Sequence, residues 1–239
     1  MTSATTPLVP AAGAAAAAGP VLAVDIGGTK FAAALVDAAG GVLASHVVPT
    51  PRSADAEDVF AAVTALAGHL LPAAAPRPAG VGISSAGPLD SARGTVSPVN
   101  IGAWRDFPLR SRVADLVAGL TGAPVPVVLA GDGICMAIGE HWLGAGRGAG
   151  AVLGVVVSTG VGGGLVLDGH VHAGPTANAG HIGHMTVDVD GDPCPCGGRG
   201  CLEVVASGPS LVRHARRHGW AAPEGATARE PAADAGAGF

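Results

Sequence analysis

Lysine is nearly absent from this chain: the only one is Lys30, and Arg supplies almost all the other positive charge. Charged residues make up only 13% and the net charge is −5. A protein that grips nucleic acid needs a basic face to neutralise phosphates, and this composition offers none, which argues against a nucleic-acid partner. No apolar stretch reaches the length of a bilayer span without Gly, Pro or a charge breaking it, so no membrane association is expected. Residues 1–20 lack Lys, Arg and a sustained apolar core, and do not read as a secretory leader. They are rich in Ala, Pro and Gly and read as a disordered tail. Cysteine is scarce, four in 239 residues, and three of the four fall between Cys194 and Cys201. That clustering fits metal better than a disulfide framework, and the expected compartment is the cytoplasm.

What is present is a globular composition, 49% hydrophobic, with 39 glycines. Val21–Asp25 reads as a buried strand, followed across glycine turns by antiparallel strands at Phe31–Val36 and Val42–Val48. Val59, Val63, Leu66 and Leu70 repeat on one face and predict a helix over 55–71, capped by Asp55. Gly80–Ser85 reads as a strand, Val113–Leu120 as a helix, Val125–Leu129 as a strand and Cys135–Trp142 as a helix. Ala151–Val157 and Leu165–Asp168 read as further strands. This alternation predicts an α/β fold. The pattern restarts after Asp132, which predicts two related lobes, 21–130 and 131–220, with a cleft between them. Residues 221–239 show no periodicity and read as a second disordered tail.

The chemistry sits in the turns. Asp25-Ile-Gly-Gly-Thr-Lys30 joins two strands. Gly27 and Gly28 would let backbone N–H groups approach phosphate oxygens, Thr29 adds a hydroxyl and Lys30 a cation. Asp25 is placed to hold Mg²⁺ through water. The same residues would also make a hairpin turn with a buried Asp. A second cluster, Ser158–Gly164, carries Thr159, Gly160, Gly162 and Gly163 between strands. Two such turns, one in each half, suit a nucleoside triphosphate held from both sides, although the G-x-x-x-x-G-K-[ST] phosphate loop is absent. His184, Cys194, Cys196 and Cys201 form H-x9-C-x-C-x4-C, a closed donor set for structural Zn²⁺, with free thiols as the alternative. Cys135 stands apart as a buried helix residue. Asp132 follows a strand and precedes a helix, where it could be a helix cap or a catalytic base.

The runs DIGGTK and STGVGGG and the cysteine cluster resemble the two phosphate motifs and the signature motif of ROK-family sugar kinases. The resemblance runs from Val21 to His218. It implies an actin-like, ribonuclease-H-like α/β fold and ATP-dependent phosphorylation of a hexose 6-hydroxyl, with ATP, Mg²⁺ and structural Zn²⁺. It casts Asp132 as the base and Asn100, His184 and Glu203 as sugar contacts. His181 stands where the family has a sugar-binding Glu, and Gly131 where it has Asn. Glucose is the first expectation. The Gly180-His-Ile-Gly-His184 form is similar to bacterial N-acetylmannosamine kinases, which makes that sugar the second. Family members continue beyond the point near Trp220 where periodicity ends here. The resemblance therefore implies an incomplete second lobe, a C-terminally truncated chain and, as a third reading, an inactive sugar-binding protein. ROK repressors carry a helix-turn-helix module, and the twenty residues before Val21 are too few for one. A small-molecule sugar is the expected partner, and family habit adds a homodimer.

Overall fold

Strict alternation along Val21–Ile26 (β1) builds the first sheet: Leu22, Val24 and Ile26 are buried, while Val21 and Asp25 are exposed. The computed structural model describes residues 19–72, 77–174, 178–221 and 223–229. The expected tails lie outside these residues except at Gly19, Pro20, Ala221 and 223–229. The chain divides into two units, 1–135 and 136–239. Lys30–Val36 (β2) and Val42–Pro49 (β3) fold back antiparallel beside β1. Gly80–Ser85 (β4) then pairs parallel to β1, and Val127–Gly131 (β7) parallel to β4. The first unit's sheet has the order β3-β2-β1-β4-β7.

Register decides where the chemistry goes. Ile26 pairs with Ser85, and Ser85 with Gly131, so β1, β4 and β7 end level with one another. Asp25, Ser84 and the residue after β7, Asp132, therefore gather at the carboxyl ends of three adjacent parallel strands. That end of an α/β sheet is where ligands bind.

The helix Ala56–Leu70 (α1) buries Val59, Phe60, Val63, Leu66, Ala67 and Leu70. Its cap is the expected one: the Asp55 carboxylate accepts from the N–H groups of Glu57 at 2.7 Å and Asp58 at 3.3 Å. A short hairpin, Leu89–Asp90 (β5) and Thr95–Val96 (β6), precedes helix Leu109–Thr121 (α2), which ends at Gly122 in the left-handed conformation. The sequence holds four Phe, three Trp and no Tyr. Most of that aromatic mass meets in one cluster. Trp104, fully buried, stacks on Phe107 at 4.5 Å and lies 5.9 Å from Phe31, and Phe60 lies 5.8 Å from Phe107. The indole N–H of Trp104 donates to the Ala56 carbonyl at 3.1 Å, so the ring also ties the 101–107 loop to the start of α1.

In the second unit, Ala151–Val157 (β8), Val161–Leu167 (β9) and His170–Val171 (β10) form a sheet of order β10-β9-β8. Helix Asp132–Trp142 (α3), whose first four residues belong to the first unit, precedes them, and Leu202–Ala206 (α4) and Gly208–Arg217 (α5) follow. Three differences from the sequence reading stand out. Helix α3 begins at Asp132 itself rather than at Cys135. Strand β9 begins at Val161, inside the run read as a loop, because its glycines are packing contacts as well as turn residues: a side chain at Gly163 would overlap the Gly180 carbonyl. Residues 223–226 make a turn, with Ala226 N–H donating to Pro223 C=O. No described helix is long and apolar enough to cross a membrane.

Replacing Trp104 with Ala should remove both the stack and the tie to α1. We expect a loss of about 3–5 kcal/mol, read as a lower urea midpoint for the unit containing β1–β7.

Candidate functional site

The first glycine loop is a closed turn between β1 and β2. Gly27 N–H donates to Lys30 C=O at 3.1 Å. Gly28 lies against Asn100, and a Cβ at Gly28 would sit 2.9 Å from Asn100 Cβ and Nδ2. Glycine is needed there for close approach, and the contact brings the expected sugar residue Asn100 onto the expected phosphate loop. Asp25, Thr29, Lys30 and Asn100 are all exposed. One anchor escaped the sequence reading. Thr50, just past β3, donates its hydroxyl to Gly27 C=O at 2.8 Å and its N–H to Thr29 C=O at 3.1 Å. The β2–β3 register, Lys30 opposite Pro49, is what carries it there. A polar residue following a strand opposite a glycine loop was the available signal.

Asp132 starts α3, but its carboxylate bends back onto the N–H of Gly133 at 2.7 Å and stays exposed. Cys135, one helical turn on, reports on this neighbourhood. Burial pushes its thiol up to about 11, opposed by the Ser84 hydroxyl and reinforced by the carboxylates of Asp25 and Asp132. Both expected site carboxylates thus act on one partly buried sulfur, which places them around the same spot at the strand ends. The thiol stays protonated at neutral pH and reads as structural.

The second unit gathers the other expected residues. Ser158 N–H donates to Gly160 C=O at 2.8 Å, forming the turn that carries Thr159 between β8 and β9. Gly162 and Gly163 continue in β9, and a tight 3-10 turn, Ile182–His184, packs against Val161 through Gly183. His181 and His184 meet edge to face at 5.2 Å. Glu203 lies in the first turn of α4, and its Oε2 accepts the N–H of Val161 at 3.0 Å. This bond could not be read from sequence, because it joins residues 42 apart in the chain.

His184, Cys194, Cys196 and Cys201 bring one donor atom each into a group spanning no more than 4.8 Å. Cys194 Sγ lies 3.6 Å from His184 Nδ1, and Cys196 Sγ lies 3.7 Å from Cys201 Sγ. Tetrahedral zinc with ordinary bond lengths has edges of about 3.6 Å for N···S and about 3.8 Å for S···S. The thiols also differ in acidity. The Gly198 N–H, then the Cys194 and Cys201 thiols, lower Cys196, whereas burial and then the Cys194 and Cys196 thiols push Cys201 up to about 12. Adjacent thiols of this kind ionise together only with a cation among them, so both spacing and chemistry fit zinc.

A profile of the ROK family matches residues 21–236. The chain is 37% identical over 209 residues to a glucokinase of Streptomyces coelicolor, covering 86% of this chain and 62% of that protein. It is 37% identical over 205 residues to an N-acetylmannosamine kinase of Yersinia pseudotuberculosis, covering 86% of this chain and 66% of that one. Among solved structures it is similar to a ROK-family glucokinase from Streptomyces griseus in complex with glucose and AMPPNP. That match has 38% identity and a TM-score of 0.68, over 83% of this chain and 61% of that chain. The chain thus spans about three fifths of the length of the glucokinases it matches.

Two outcomes follow from this geometry. Asp132→Asn removes a charge that holds the Cys135 thiol up, so its pKa should fall, and peptide-resolved alkylation between pH 8 and pH 10 should show faster labelling of Cys135 than in the parent. Purified protein should carry one zinc per chain by elemental analysis. Cys196→Ser, an exposed ligand whose loss leaves no core cavity, should retain well under half of it after gel filtration.

Proposed function

The chain belongs to the ROK family, and from that premise we propose that it carries the binding and catalytic residues of an ATP-dependent hexose kinase acting on the 6-hydroxyl, with glucose as substrate. The observation that supports this best is the grouping at the ends of β1, β4 and β7. Two carboxylates, Asp25 and Asp132, stand there beside a glycine loop, and Asn100 rests on Gly28. Asp132 takes the proton from the sugar 6-hydroxyl as that oxygen attacks the γ-phosphorus, and ADP leaves. The N–H groups of Gly27 and Gly28, the Thr29 hydroxyl and Lys30 are the proposed phosphate contacts of the first unit, and Thr159, Gly160, Gly162 and Gly163 those of the second. Asp25, exposed at the end of β1, would hold Mg²⁺ through water; the ion supplies charge neutralisation at the phosphates. Asn100 in the first unit, and His181, His184 and Glu203 in the second, are the proposed sugar contacts. His184, Cys194, Cys196 and Cys201 would hold zinc, whose contribution there would be structural and not proton transfer.

One observation favours N-acetylmannosamine as a second reading. His181, exposed beside His184, offers one donor or acceptor at a time where the family's carboxylate would bind two adjacent hydroxyls. Its ring is held against His184.

A coupled ADP-release assay with ATP and Mg²⁺ separates these. We expect turnover with glucose exceeding that with N-acetylglucosamine or N-acetylmannosamine, and a fall of about 10²-fold or more in Asp132→Asn. A preference for N-acetylmannosamine would select the second reading. Absence of turnover with every sugar, from folded and zinc-loaded protein, would leave a sugar-binding protein without kinase activity.

A further inference from the structure

Val161, the first residue of β9, is gripped from two directions by the segments that carry the metal ligands. Its N–H donates to Glu203 Oε2 at 3.0 Å. Glu203 stands two residues after the ligand Cys201, which caps α4. The Val161 carbonyl lies against Gly183, so closely that any side chain at 183 would overlap it, and the next residue is the ligand His184. The near end of the same turn is held as well: Gly208 N–H donates to Ser158 C=O at 2.8 Å. The junction between α4 and α5 that supplies Gly208 is tied back to Glu203. Ser207 N–H and Ser210 Oγ both donate to the Glu203 carbonyl, at 3.1 Å and 3.0 Å. The hydroxyls of Ser207 and Ser210, both buried, lie 2.7 Å apart.

A turn built of Gly160 and Gly162–Gly164 has little conformational preference of its own. Pairing with β8 fixes one side of β9. The remaining restraint at the tip comes from Glu203, Gly183 and Gly208. We propose that the Cys₃His centre sets the conformation of the second glycine loop, and that Glu203 is the positioning residue that passes this constraint from Cys201 to Val161. Glu203 then has two roles: Oε2 holds the loop, and Oε1, with no donor among the described residues, remains for a sugar hydroxyl. The consequence for ATP rests on the proposed nucleotide role of the loop; the constraint itself does not.

Amide hydrogen exchange on the full chain tests the constraint without any need for activity. In zinc-loaded Glu203→Ala, the peptide covering 158–164 should exchange about tenfold faster than in the parent, as expected on losing a charge-assisted hydrogen bond. Glu203→Gln, whose amide oxygen still accepts from Val161, should stay near the parent rate. Stripping zinc from the parent with a chelator should speed the same peptide while β1–β4 are unaffected. Unchanged exchange at 158–164, either in zinc-loaded Glu203→Ala or in the stripped parent, overturns the proposal. Should Glu203→Ala fail to fold, the stripped parent decides: acceleration concentrated at 158–164 supports the constraint, and acceleration spread evenly over β8 and β9 overturns it. Titration with AMPPNP in the absence of sugar adds the functional arm. A positioning role predicts about tenfold weaker binding in Glu203→Ala and recovery in Glu203→Gln, whereas a residue that only touches sugar leaves this affinity unmoved. If the parent binds no AMPPNP at all, the kinase reading fails while the exchange result still stands.

Discussion

The register of β1 against β4 is the constraint on which the first unit depends. With Ile26 opposite Ser85, Leu22, Val24 and Ile26 point into the core and Asp25 points out. Side chains alternate along a strand, so a slip of one residue would exchange the two faces. Three large apolar side chains would be exposed, and the Asp25 carboxylate would be driven among Phe31, Val59 and Ile83, at a cost that an unpaired charge in an apolar interior makes prohibitive. The packing that stabilises the sheet and the placement of Asp25 at its carboxyl end are one arrangement. The same register runs on to β7, where Ala130 is opposite Ser84, so Asp132 follows two residues further along at the same end of the sheet.

Glycine serves two distinct purposes here. At Gly122 and Gly180 the backbone adopts positive φ, 76° and 83°, which side chains other than glycine resist. At Gly28, Gly163 and Gly183 the φ is ordinary and the reason is contact: Asn100, the Gly180 carbonyl and the Val161 carbonyl each occupy the space a Cβ would need. These three lie in the two glycine motifs and the His184 turn, where backbone comes close to a partner. The conformational glycines lie where the chain reverses.

Much of the fold was legible because its signals are local. The alternation in β1, the spacing of apolar residues in α1 and the Asp55 cap each depend on residues within a few positions. The glycine loops and the donor set His184, Cys194, Cys196 and Cys201 were legible for the same reason. What escaped depends on contacts across the chain. Thr50 reaches Gly27 over 23 residues, and Glu203 reaches Val161 over 42. The start of α3 was misplaced because Gly133 and Gly139 dilute the apolar pattern on which the helix was recognised. The glycines of β9 read as a loop because their role, close approach to Gly180, is visible only once both segments are in place. Helix α5 buries only Ser210 and Val212 and carries Arg213, Arg216 and Arg217, so it offered little apolar period to read.

Charge pairing separates the candidate carboxylates of each unit from the remaining surface. The ion pairs among the described residues join Arg93 to Asp90 and Asp106, Arg112 to Glu57, and Arg217 to Asp192. Each is solvent-exposed in whole or part, and such pairs contribute little to stability. None involves Asp25, Asp132 or Glu203. A chain with so few cations could have placed an arginine beside any of these three, and doing so would have lowered the basicity of Asp132 and occupied the oxygens of Asp25 and Glu203. Instead Asp132 bonds to a backbone N–H at one oxygen, and so does Glu203. A carboxylate held by a neutral donor keeps its negative charge and an open lone pair. Both suit the roles proposed for Asp132, Asp25 and Glu203.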